Sequence, residues 1–223
     1  MTTQAATTVG LASRSNLTER LFFAGMALAM IVTVFVGFAP TYYVTRSAAR
    51  PLTPLLHAHG ALATAWMLLF LAQTALVAAH RVHIHRRLGL AGVIVATALA
   101  IFTMAASIVS RGFTPRLTFS AGAVLMFGIY VVAGFLQRRE PAGHKRLMLL
   151  ATIALLPPAI SRMDVPFMPH NSFGPNFVGL FFLIPAFVYD LTTRGKIHPA
   201  LLWGGLFMIV MLPLRLLLKN YVF

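Results

Sequence analysis

The side chains best suited to chemistry in this sequence are its eight histidines. A neutral imidazole presents a nitrogen lone pair to a metal ion and gains a proton near neutral pH. They fall into two layers flanking the apolar runs. His57, His59 and His170 form one layer, and His80, His83, His85, His144 and His198 form the other. The chain has no cysteine, so a metal site here must be built from His, Asp or Glu, and no disulfide framework exists.

In the segment from His80 to Arg87, His80 and His83 share a helix face at i, i+3 if the preceding helix continues that far, and Asp190, His144 or His198 is available as a third ligand. The opposing reading is a basic interfacial collar. Three arginines, Arg81, Arg86 and Arg87, lie among those histidines and their charge repels a cation. In the other layer, His57 and His59 stand about 200° apart on a helix, so one ligand does not meet both. His59 is the deeper, and with Trp66 and Gln73 it is a candidate lining residue of one cavity; an interhelical hydrogen bond is the plainer role. Arg162 and Asp164 are spaced for an ion pair gating an outer cavity, and Asp190 stands four residues before Arg194, within reach of a helical pair.

These groups must be positioned by membrane helices. The 223 residues are 59% hydrophobic and 10% charged, against about a quarter charged in a soluble domain. Uncharged stretches and their breakers give spans at about 20–40, 55–79, 88–110, 117–137, 146–162, 176–192 and 198–218, comparable with the length that crosses about 30 Å of hydrocarbon. The expectation is an all-α integral membrane bundle of seven transmembrane helices over 19–223, behind a flexible tail, 1–18. Eighteen Lys and Arg against four acids give +14, and the bases sit between the apolar runs. That placement suits lipid headgroups and lacks the aromatic and basic platform that nucleic acids use. Seven spans divide the bases eleven to seven in favour of the side bearing the N-terminus, which puts that end in the cytoplasm and the C-terminus outside.

The fifth and sixth runs are interrupted by Pro157, Pro158 and Pro185, which remove backbone donors. Broken spans either line a binding cavity or simply pack on their neighbours. Small residues such as Gly89, Gly92, Gly122, Gly128, Gly204 and Gly205 allow close helix approach.

His59-Gly60, Gln73, Arg81 and His85-Arg86-Arg87-Leu88-Gly89, then His144-Lys145-Arg146-Leu147-Met148 and Arg162, resemble the pattern of uncharacterised bacterial seven-helix membrane-protein families. The resemblance covers about half the chain. More distantly, histidines at the end of one span and the start of another are similar to cytochrome b561 and ferric-reductase transmembrane domains, where such histidines hold haem b. That likeness implies His59, His85 and His144 as cofactor ligands and a redox-linked function in a bacterial inner membrane. Haem domains of that kind pair histidines from two helices at one depth; His85 with His144 supplies such a pair, and His59 has no counterpart. Microbial rhodopsins need a buried lysine, and Lys145, Lys196 and Lys219 all lie at span edges. The zinc hydrolases related to adiponectin receptors need a last-span His-x-x-x-His, and His198 stands alone. The reading from sequence is therefore a haem-binding or metal-binding, redox-linked membrane protein. The alternative is a small-molecule transporter or accessory protein with its cavity at the broken fifth and sixth helices.

Overall fold

A computed structural model describes residues 2–44, 52–111, 117–163, 165–166, 168–169, 171 and 173–221, without the side chains of 2–16, 111 and 219–221. All regular structure among them is helical. The elements in chain order are α1 (Thr2–Phe38), a π-helical turn (Ala39–Tyr43), α2 (Pro54–Ala78), α3 (Val82–Arg111), α4 (Leu117–Leu136), α5 (Pro141–Ile153), α6 (Pro157–Ile160), α7 (Gly174–Leu180), α8 (Leu183–Arg194) and α9 (Pro199–Tyr221). Helix α1 reaches back to Thr2, through the segment expected as a tail. Six stretches are long and apolar enough to cross a membrane: Leu17–Tyr43, Pro54–Ala78, Val82–Ser110, Leu117–Leu136, Gly174–Arg194 and Pro199–Leu218.

The surface is the reverse of a soluble protein's. Ile94, Val109 and Trp203 are each about two-thirds exposed, and Leu21, Val32, Ile101 and Val132 project outward beside them. A continuous apolar exterior of this extent is stable only where the solvent is itself apolar. The multi-pass membrane class follows from this surface together with the six apolar stretches.

The fifth apolar run differs in kind. It is divided into α5 and α6 by a turn at Leu155 and Leu156, and almost every side chain from Leu149 to Ile160 is buried. Near one end Lys145 pairs with Glu19 of α1 (2.5 Å), and near the other the Arg162 guanidinium lies over the Phe38 ring of α1 (4.4 Å). Glu19 and Phe38 are separated by about 28 Å of helix at about 1.5 Å per residue, so α5 and α6 together run alongside the C-terminal half of α1 and parallel to it. Gly37 makes the α6 contact close: a Cβ there would overlap the Ala159 carbonyl.

The prolines act differently from the sequence expectation. Each break precedes its proline, and Pro157 and Pro158 open α6 while Pro185 sits in the first turn of α8. A proline in a first turn lacks an N–H that would have had no helical partner, so it starts a helix rather than kinking one.

Candidate functional site

One end of the bundle carries the turns near residues 79–81, 137–140 and 195–198, and the buried ion pair that organises it joins α5 to α8. Arg146 Nε donates to both carboxylate oxygens of Asp190 (3.1 and 2.9 Å), and Arg146 Nη2 donates to Asp190 Oδ1. Both side chains are essentially without exposure, at 1% and 0%. The backbone N–H of His198 donates to Asp190 Oδ2 (2.9 Å), so one carboxylate ties α5, α8 and the start of α9 together. The expected partner of Asp190 was Arg194, on its own helix; the cross-helix Arg146 is the group that reaches it, because the carboxylate points into the bundle and Arg194 stays exposed. His198 is a helix cap: its Nδ1 accepts the Ala200 N–H (3.1 Å), which needs a neutral ring. Burial, with the nearby charges of Arg146 and Arg194, holds that imidazole below its ordinary value.

Two residues before Arg146, His144 is fixed by α4. Its Nδ1–H donates to the Gly134 carbonyl (2.8 Å), which leaves Nε2 as the lone-pair nitrogen of the neutral ring. Gly134 lets α5 approach closely enough for this, since a Cβ there would overlap the Met148 side chain. Facing His144 across a cavity is His85, in the first turns of α3. The two ring centres lie 6.1 Å apart with planes at 87°. Helix α3 begins at Val82, six residues before the apolar run, and this early start puts His85 on a helix instead of in a loop. Gln73 of α2 holds the turn in place, its Nε2 donating to the His85 carbonyl (3.2 Å).

The cavity measures about 870 Å³ and is formed by α1 to α5. Its walls are apolar, with Phe23, Phe70, Val93 and Met148 among them, and its polar residues include Trp66, Gln73, His85 and His144. Three buried polar atoms of this lining make no hydrogen bond: Trp66 Nε1, Gln73 Oε1 and His85 Nδ1. Unpaired buried donors and acceptors cost about 1–3 kcal/mol each, so three in one cavity point to a group that satisfies them. Arg20, Arg86, Arg138, Arg139 and Lys145 also line it, with Glu19 as the single acid.

Comparison of the chain with protein-family profiles, with curated proteins and with solved structures finds no match. The site's geometry and chemistry are therefore what bears on its function.

The remaining sequence candidates are dispersed. His80 is not on the face of His83: α2 ends at Ala78, and His80 occupies a turn with φ of 60° where its Nε2 accepts from Arg20 (2.5 Å). His83 is exposed on α3. Among the described residues no three His, Asp or Glu side chains converge as a metal site; of His80, His83, His198 and Asp190, the last two meet through the His198 backbone N–H. At the opposite end of the bundle, His59 lies within 3.3 Å of Thr103 Oγ1 on α3, and that hydroxyl gives its one proton to the Leu99 carbonyl (2.6 Å). His59 Nδ1–H is therefore the donor of an interhelical bond. His59 does not share the cavity of Trp66 and Gln73. Arg162 donates to the Pro158 carbonyl, while Asp164 and His170 lie outside the described residues. Pro158, Arg162 and Pro185 line neither this cavity nor a much smaller one that includes Pro157.

The sequence reading missed Arg146 and Arg215 as buried groups and counted both as loop charges. The available signal was their position: each is followed directly by an apolar run, at 147–151 and 216–218.

Proposed function

We propose that this chain is a seven-span protein of a bacterial inner membrane that holds one b-type haem between His85 and His144 and takes part in electron transfer. The carrying observation is the His85–His144 separation. Two imidazoles that held one metal ion between them would each need about 2 Å of bond and about 1.1 Å from nitrogen to ring centre, or about 6 Å between centres. The measured 6.1 Å meets that requirement, and two ligands from different helices are what such a site uses. The free Nε2 of His144, oriented by a carbonyl on its Nδ1, has the arrangement of a metal-ligating histidine. The cavity lies within the volume range of cofactor pockets, about 300–1,000 Å³. Five cationic side chains in its lining suit two carboxylates, which guanidinium and ammonium groups bind by charge-assisted hydrogen bonds. Haem, when bound, would supply one-electron redox chemistry; His85 and His144 would hold it through imidazole nitrogens, within an apolar wall and beside cationic anchors.

The seventh crossing and the orientation belong to the same proposal. The run of α5 and α6 alongside α1 supports seven crossings. Setting aside Arg146 and Arg215, which are buried in the bundle, the basic residues still divide ten to six in favour of a cytoplasmic N-terminus, and the His85–His144 cavity then opens near the cytoplasmic face.

A second reading is a transporter or accessory protein for a small molecule with hydrogen-bonding groups in the same cavity, supported by the unpaired Trp66 donor and Gln73 acceptor. The test is the absorbance spectrum and iron content of protein purified from cells supplied with haem. One haem per chain is expected, with His85→Ala and His144→Ala each removing most of it and His59→Ala retaining it. Wild-type protein that is folded, colourless and iron-free refutes the haem assignment and leaves the small-ligand reading.

A further inference from the structure

At the end of the bundle opposite the histidine pair, α9 carries a cation with no counter-charge among the described residues. Arg215, two residues beyond Pro213, is 3% exposed. Its Nη1 donates to the Phe119 carbonyl (3.1 Å) and its Nη2 to Asn176 Oδ1 (2.5 Å), joining α9 to α4 and α7. Its Cζ sits 5.3 Å from the centre of the Phe119 ring. Its Nε–H is buried and has no acceptor. Among the described residues no carboxylate pairs with it; the two ion pairs there are Lys145 with Glu19 and Arg146 with Asp190. A desolvated guanidinium held only by neutral acceptors is costly, and an amide or hydroxyl would bridge the same three helices without that cost. The charge therefore calls for a purpose that a neutral cross-link does not serve.

Two further features show that the place is built. Arg215 lines a cavity of about 20 Å³, together with Met126, Pro157, Asn176 and Met208. About 10–15 Å³ on this measure holds one water, so the occupant is a single water or an ion of similar size, and polyatomic oxyanions are too large. Gly122 on α4 clears the path of the arginine, because a Cβ there would overlap Arg215 Cδ. Beside an uncompensated cation, an anion is held more strongly than a neutral water of comparable size.

We propose that Arg215, with the small cavity it lines, binds one halide-sized monovalent anion, with chloride as the ligand, at the end of the bundle away from His85 and His144. The site is independent of the haem assignment. Its ligation rests on the guanidinium, with Nε–H as the donor left for the ion, and its occupancy neutralises the one uncompensated charge this junction of α4, α7 and α9 contains.

The test is equilibrium binding of radiolabelled chloride to the purified full chain in nanodiscs of neutral lipid, competed by bromide and by gluconate at constant ionic strength. Thermal unfolding is followed in chloride and in gluconate in parallel. Wild type should bind one chloride per chain, displaced by bromide but not by gluconate, and should melt higher in chloride. Arg215→Met should bind at least tenfold more weakly and lose the salt-specific shift in melting. Gly122→Ala, which leaves the cation in the sequence but displaces its side chain, should weaken binding in the same direction; this variant decides the matter if Arg215→Met does not fold. Wild type that binds no chloride, leaving water alone in the cavity, overturns the proposal. Equal chloride binding by wild type and a folded variant overturns it too.

Discussion

Replacing Asp190 by Asn tests whether the arginine-rich end of the bundle is organised by one buried charge pair. The substitution keeps the shape of the side chain and removes its charge, leaving Arg146 desolvated with a neutral partner. Arg146 is 1% exposed and directs Nε and Nη2 at the carboxylate, so solvent cannot replace the lost counter-charge. Breaking a buried pair by removing one partner typically costs about 3–5 kcal/mol, or roughly two to three and a half decades in the unfolding equilibrium. The amide retains an oxygen for the His198 N–H, so the lower half of that range is expected. The double variant Arg146→Met, Asp190→Leu removes both charges and should recover most of the loss, because the pair's own desolvation cost disappears with it. The assay is reversible unfolding in bicelles or mixed micelles for the wild type, Asp190→Asn, Arg146→Met, Asp190→Leu and the double variant. On the proposed haem assignment, haem retention should also fall in Asp190→Asn, since Arg146 and His144 lie two residues apart on α5. A loss under about 1 kcal/mol in Asp190→Asn, or a double variant no more stable than the single ones, would refute the view that this pair is dry and coupled.

Two predictions concern the fold. Gly37→Ala should destabilise the protein by about 1–3 kcal/mol in the same assay, because its Cβ would strike the Ala159 backbone, whereas Gly25→Ala, which meets nothing within 4 Å, should be neutral or slightly stabilising. For topology, a reporter fused after Phe223 should be external and one inserted between Arg138 and Lys145 cytoplasmic; finding both on one side would mean that α5 and α6 do not complete a crossing.

The membrane class was written in the sequence, since a run of about 20 uncharged residues has few ways to satisfy its backbone other than as a lipid-facing helix. The ends of α2 and α4 fall within one residue of the expected spans, and those of α9 within three, for the same reason. The histidine pair was legible only as residue types: His85 and His144 stand 59 positions apart, and periodicity along one helix carries no information on which face of α3 meets which face of α5. The partner of Asp190 was hidden by the same limit. Spacing offered Arg194 on its own helix, and the tertiary fold chose Arg146 on another, because a carboxylate pointing into a dry bundle pairs with the cation that shares its interior. Cavities were expected at His59, Trp66 and Gln73 and at the prolines; the large one, formed by α1 to α5, is lined by Trp66 and Gln73 without His59, while Pro157 lines only a much smaller one of about 20 Å³. Local sequence determined which segments are helices and which solvent they require; the packing of those helices decided which polar groups face one another, because desolvation makes a polar side chain's partner a property of the interior and not of the chain.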